Sequence, residues 1–291
     1  MSLLSVPTVL IGGLRRAARL GLPVLLVASA VHGSEHDQMM AKLERWRAPM
    51  EASTLGRPMV LQATSTPGGL QGDVFAIVDQ PFQRLRASLG RAASWCDVML
   101  LHINNRACKA SGSSGREVIT LSVVRKHDQP LSAAFELPFD FRVIDSTQPY
   151  MQVRLGAADG PLGTSNYRIV FEAVPVDASR SFLHFSYAYD ENALAYAATQ
   201  AYLATFGRSK IGFTVVGTTA DGPVDYVRGT QGLVERNAMR YFLAVDAYMA
   251  SAKDAPSRWH VWYSATEKYP RQLHEIDRAT YLELKAADAR R

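Results

Sequence analysis

His184 heads the residues whose type and setting would allow chemistry. It alternates with Phe182 and Ser186 along a strand pattern whose other face is Leu183, Phe185, Tyr187 and Tyr189. An imidazole facing an interior space acts as a general base near neutral pH, or holds a polar headgroup. More often, such a histidine is a hydrogen-bonded or exposed strand residue. Arg236 and Arg240 lie one turn apart on a helical stretch, with Glu235 beside them. Guanidinium groups suit carboxylate or phosphate, so this pair would hold an anionic headgroup at a pocket mouth. The plainer reading is a solvated helix face with local ion pairs. Glu172 and Arg168 share one strand face, as a surface pair would, and His32 and His36 would pair on a helix. His102, His127, His260 and His274 have no metal-ligand spacing to each other. No HExxH, GxSxG, P-loop or GxGxxG pattern occurs, and Ser113-Ser114 sits in a Gly/Ser-rich stretch without a placeable base. No catalytic residue, metal or cofactor is expected from these patterns.

The first thirty residues address a compartment. Arg15, Arg16 and Arg19 form a positive segment, Gly21 to Ala30 a short apolar one, and Ala28-Ser29-Ala30 a small-residue cleavage site. Val31-His32-Gly33 offers a second cleavage point. The apolar run is about half of the ~20 residues that span a bilayer. A signal peptide over 1–30 is expected, and with it a periplasmic or secreted protein. Three of the +5 formal charges lie in that segment, which leaves +2 for the rest. No compact Lys/Arg cluster remains, so no nucleic-acid partner is expected. Cys96 and Cys108 are the two cysteines. In an exported chain an even pair is expected to be oxidised, tying the end of a helix to the following loop and adding roughly 2–4 kcal/mol.

These residues need elements to position them. Residues 34–48 read as an amphipathic helix capped by Ser34, with Asp37 in the capping-box position and Trp46 packed on the body. Strands are expected at 59–64 and 73–78 around Thr66-Pro67-Gly68-Gly69. Helical spacing runs over 80–103 with a break near Gly90, and 109–115 (KASGSSG) reads as a loop. The period then becomes two. Phe135, Leu137, Phe139, Phe141 and Val143 alternate with polar residues, and further strands are read at 118–125, 150–155, 167–176 and 181–189. A helix follows at 192–206, then strands at 211–216 and 224–228. A long helix spans 230–250, with Val234, Ala238, Tyr241, Val245 and Tyr248 on one face. A tail after Pro256 carries Trp259, Trp262 and Tyr263, then a charged helical stretch from Arg271.

This order resembles the START-like (helix-grip, SRPBCC-type) superfamily between Gly72 and Ala250. The carrying segments are GDVFAIVDQPFQRL, FELPFDFRV and GLVERNAMRYFLAVDAYM. The resemblance implies an α+β fold: a curved antiparallel sheet gripping a long C-terminal helix, with an apolar ligand between them. Helical extensions flank it at both ends. The expected organisation is a signal peptide at 1–30, a helical linker at 31–57, the helix-grip domain at 58–250 and a tail at 251–291. Three features depart from a minimal member: strands before Gly72, the 192–206 helix, which would be a lid, and the tail. The resemblance implies binding or carriage of an apolar molecule such as a lipid. The expected ligand residues are Phe135, Phe139, Phe141, His184, Arg236, Arg240, Tyr241, Val245 and Tyr248. A cyclase- or hydrolase-type enzyme using His184 with a buried acid is the second reading. A structural envelope protein binding partners through Trp259 to Tyr263 is the third. A transient membrane or protein partner is compatible with the first and third.

Overall fold

The computed structural model describes residues 34–66, 68–113, 115–145, 149–205, 207–218, 224–251 and 254–290. The expected signal peptide at 1–30, and His32 of the His32/His36 pair, lie outside them. All described residues fall in one compact unit. In chain order the elements are α1 (Glu35–Glu51), β1 (Met59–Thr66), β2 (Gly69–Val78), α2 (Phe82–Leu89) and α3 (Ala92–Met99). Next come β3 (Asn105–Ser113), β4 (Arg116–Val123), β5 (Phe135–Asp145), β6 (Met151–Asp159), β7 (Thr164–Pro175) and β8 (Ser181–Glu191). Then follow α4 (Ala193–Ala204), β9 (Val215–Gly217), β10 (Asp225–Tyr226) and α5 (Gly229–Ala250). The tail forms α6 (Ala255–Thr266), α7 (Pro270–Leu273) and α8 (Arg278–Ala289). No helix among the described residues is long and apolar enough to cross a membrane.

Eight strands form one antiparallel sheet in the order β1-β2-β8-β7-β6-β5-β4-β3. The α2–α3 pair follows β2, a meander runs from β3 to β8, and α5 lies against the sheet. This is the helix-grip arrangement, with β1 added beside β2. One core cluster takes Met59 and Val74 from one end of the sheet, Ile119 and Leu121 from the other, and Val234, Ala238 and Val245 from α5. The sheet must therefore curve around the helix for its single apolar inner face to be covered. Gly72 makes the closest approach possible, because a Cβ there would lie 2.9 Å from the Ala238 Cβ.

α5 is buried on nearly every side, including Glu235, Arg236 and Arg240. The solvated helix face that its charges suggest is absent because residues 211–214 cover Glu235 and Arg236 and the tail covers Arg240. Trp262 of α6 donates its indole N–H to the Arg240 carbonyl at 3.0 Å, and Leu273 and Tyr281 join the core. Trp259 and Tyr263 pack against the same core.

α1 covers the opposite face of β2, β7 and β8. Ser34 and Asp37 form the expected capping box. Met39, Leu43 and Met50 bury against Phe75, Val174 and Phe182, and Trp46 stacks on Phe75 with centroids 5.2 Å apart. Cys96 and Cys108 are bridged, with Cα atoms 5.4 Å apart. The bridge joins α3 to a strand, not to a loop. Most of the 109–115 stretch is the outer half of β3, pairing Lys109 with Thr120 and Ser113 with Arg116. At this sheet edge the backbone ladder replaces an apolar face, so no alternation marks the strand. Gly112 sits at φ +95°, where a Cβ would lie 2.2 Å from the Arg116 carbonyl oxygen.

Candidate functional site

A cavity of about 960 Å³ opens between the sheet and the first half of α5. Its aromatic wall is Tyr167 of β7, Tyr187 of β8 and Tyr241 of α5. Tyr187 stacks on Tyr241 with centroids 5.4 Å apart and meets Tyr167 edge-on at 6.4 Å. Burial pushes all three phenols above their ordinary range, so they stay neutral. The α4 helix covers one side with Ala195, Ala198, Thr199 and Tyr202. Asn192 caps this helix by accepting from the Ala195 N–H at 2.9 Å. α4 contains no charged residue and leaves Leu194 and Tyr196 exposed. The rim comes from residues 125–129, together with Pro161 and Leu162.

His102 closes the inner wall. It stacks on Tyr241 at 5.2 Å, and its Nδ1 accepts from the Asn104 N–H at 3.2 Å. Burial, helped by the nearby Arg240 and Lys285 charges, holds its pKa well below the ordinary value. The ring is therefore neutral with its proton on Nε2, a hydrogen-bond donor.

One end of the cavity is cationic. Arg236, Arg240 and Lys210 line it, and Glu275 is the carboxylate among them. Arg240 Nη2 donates to Glu275 Oε1, and Lys210 Nζ donates to Glu275 Oε2 at 3.3 Å. Arg236 is 1% exposed; its Nη1 donates to the Ile211 carbonyl at 3.3 Å, a long bond, and the Tyr202 side chain of α4 is a further hydrogen-bonding neighbour of the guanidinium. Its Nη2 is buried without a hydrogen-bond partner. Burial, and then repulsion from Arg240, pull its pKa down to about 10, so it remains charged near neutral pH. Glu235 is the contrasting neighbour. It accepts from the Phe213 N–H at 2.6 Å, the Thr214 N–H at 3.1 Å and the Thr214 hydroxyl at 2.6 Å, fixing the 211–214 loop to α5.

His184 belongs to a second cluster, on the α1 side of the sheet. Its Nδ1 lies 2.6 Å from Glu172 Oε2 and its Nε2 lies 2.8 Å from Asp73 Oδ1. Lys42 of α1 donates to Glu172 Oε2 at 2.7 Å, Tyr150 to Oε1 at 2.7 Å, and Gln152 to Oε1 at 3.1 Å. Phe75 stacks on the imidazole at 4.5 Å. Burial disfavours the imidazolium, but the bonds to Asp73 and Glu172 outweigh it and raise the His184 pKa. Burial likewise opposes the Glu172 charge, and the bonds from His184 and Lys42 overcome it, leaving its pKa well below the usual carboxylate range. The doubly donating imidazolium staples β2, β8 and β7 together.

No protein-family model matches the chain, and no curated protein does. Among solved structures, norcoclaurine synthase from Thalictrum flavum, solved with dopamine and hydroxybenzaldehyde, is 14% identical with a TM-score of 0.34, covering 49% of this chain and 77% of that one. A protein from Thermus thermophilus is 9% identical with a TM-score of 0.41, covering 63% and 99%. Ara h 8.0201 is 11% identical with a TM-score of 0.37, covering 63% and 99%. The helix-grip assignment rests on this chain's own strand order and sheet–helix packing.

Of the nine ligand residues expected from sequence, Arg236, Arg240 and Tyr241 line the cavity. Phe139 stands one layer behind, edge-on to Tyr167 at 6.3 Å. Phe141, Val245 and Tyr248 are core residues. At that half of α5 the space is filled by α3, whose Ser94 hydroxyl accepts from the Tyr248 hydroxyl at 3.0 Å. Phe135 begins its strand and is 38% exposed. His184 lies on the far face of the sheet because α1 and α5 cover β8 from opposite sides, and the even-numbered residues face α1. Glu172 shares that face and is buried, which corrects the surface pairing with Arg168; Arg168 bonds Asp190 at 3.0 Å instead. Sequence reasoning missed Tyr167, His102, Lys210 and Glu275 as cavity residues. Tyr187 carried a signal, since it continues the Leu183/Phe185 face.

Proposed function

We propose that the protein binds and carries an amphiphilic small molecule, of lipid type, with its apolar body against the tyrosine wall. The cavity of about 960 Å³ between the sheet and α5 carries this reading. Its volume is at the upper end of the ~300–1,000 Å³ range of small-molecule pockets. Each methylene buried there would contribute about 0.8 kcal/mol, so binding needs no catalytic group. α4 serves as the lid, and its exposed Leu194 and Tyr196 suit transfer of a ligand to or from a lipid surface. Export fits the arginine-plus-apolar segment at 1–30 and the Cys96–Cys108 bridge.

An acid–base enzyme built on His184 would need that residue in the cavity, and it faces α1. Native mass spectrometry of the purified protein, followed by titration with a fluorescent fatty acid, tests the carrier reading. Saturable binding in the wild type that Ala198→Trp blocks is the expected result. No co-purifying molecule and no saturable binding would remove it. Export has its own check: the mature chain should begin near Val31 or Ser34 by N-terminal sequencing.

A further inference from the structure

The charge balance of the cavity goes further than its shape. Arg236, Arg240 and Lys210 line one end, where Glu275 is the carboxylate. The other acid on the lining is Asp128, which is exposed at the rim. Three cations thus share one carboxylate, and two of them are arginines buried one turn apart on α5. Burying like charges together is unfavourable unless an anion completes the set. Arg236 bears most of that deficit, because its Nη2 is the buried donor left without an acceptor.

Glu275 shows which anion fits. Its carboxylate already bridges Arg240 and Lys210. It comes from the short segment between α7 and α8, and its side chain is 35% exposed. It reaches the cations from the partly exposed edge of the site and not from the core. Arg236 is near enough to add to the field on Glu275. Around this polar end Tyr202 is the phenol beside Arg236, while Tyr187, Tyr241 and the neutral His102 bring no negative charge to the cations.

Resting on the cavity reading above, we infer that the ligand is a carboxylate-headed amphiphile, whose headgroup takes the Arg236 guanidinium and displaces Glu275 from Arg240 and Lys210. The alkyl or aryl part then lies along Tyr187, Tyr241 and Tyr167 toward α4. Glu275 tunes affinity by competing for the same cations.

Calorimetric titration with dodecanoate and 1-dodecanol tests this, at a pH where the acid is ionised and below its micelle concentration. In the wild type, dodecanoate should bind at least tenfold tighter than the alcohol. In Arg236→Met that ratio should fall to near one, and in Glu275→Gln it should rise several-fold. Equal affinity for acid and alcohol in the wild type overturns the anion inference while leaving the cavity reading in place. A lower ratio in Glu275→Gln also overturns it, and this arm stands even if the Arg236 variant fails to fold. Binding of neither probe to the wild type removes both readings.

Discussion

Two buried charge clusters flank the same sheet. Under α1, two cations (His184 and Lys42) meet two carboxylates (Glu172 and Asp73), and each ring nitrogen of His184 has a carboxylate partner. Against α5, three cations (Arg236, Arg240 and Lys210) share Glu275, and Arg236 Nη2 has no partner. Buried charge is tolerated when paired and costly when not. In the α1 cluster every charge is paired, although Gln152 Oε1 is buried without a hydrogen-bond partner, and the cluster lies in a packed layer with Phe75, Phe182 and Met39. The α5 cluster is open and borders a cavity. The difference separates a paired histidine from an arginine left short of an acceptor, although the sequence offers both as candidate ligand residues.

Four substitutions probe this contrast. The largest effect is expected at Glu172. Glu172→Ala leaves His184 without one carboxylate and strips Lys42, Tyr150 and Gln152 of their acceptor, so it should cost about 3–5 kcal/mol in urea denaturation. A cost below about 1 kcal/mol would mean that the cluster is not closed.

His184→Gln should cost about 1.5–3 kcal/mol, with a distinctive pH profile. The raised His184 pKa gives stability that is fully present below its ordinary 6.5 and lost as pH rises through the folded value. The lowered Glu172 and Asp73 values give stability that is present above their ordinary 4.5 and 3.8 and lost as pH falls through the folded values. The gap between wild type and His184→Gln should therefore be greatest between about pH 4.5 and 6.5 and shrink on both sides. A gap that widens steadily with pH would contradict the staple.

Lys42 reaches the same carboxylate, but its side chain is 34% exposed, so Lys42→Met should cost no more than about 1 kcal/mol. Arg236→Met should be the mildest, within about 1 kcal/mol of wild type and on the stabilising side, because it removes an unpaired buried cation. A loss like that at Glu172 would place Arg236 among the structural charges.

Much of the fold was legible in the sequence. The α5 stripe of Val234, Ala238, Tyr241 and Val245, the alternation over 135–143, the Ser34/Asp37 cap and the break at Gly90 are local patterns, and each lies where its element lies. β3 was not legible beyond Cys108, because an exposed edge strand held by backbone pairing needs no apolar period. The candidate site was legible only where it is local. Arg236, Arg240 and Tyr241 come from one helix and were readable together. Lys210 comes from the loop after α4, which Glu235 fixes to α5, and Glu275 comes from the tail, which folds over α5. His184 was drawn toward the cavity by its chemistry, although strand parity already set it opposite Leu183, Phe185 and Tyr187. What the sequence could not convey is that α1 covers that opposite face.

The most direct test of the central claim, that the open cluster awaits a carboxylate, is a crystal structure of the dodecanoate complex. The account predicts the carboxylate within hydrogen-bond distance, about 3 Å, of Arg236 Nη2, with Glu275 swung away from Arg240 and the chain lying along Tyr187 and Tyr241. A ligand bound in reverse, with its carboxylate at the 125–129 rim and its tail against Arg236, would contradict it.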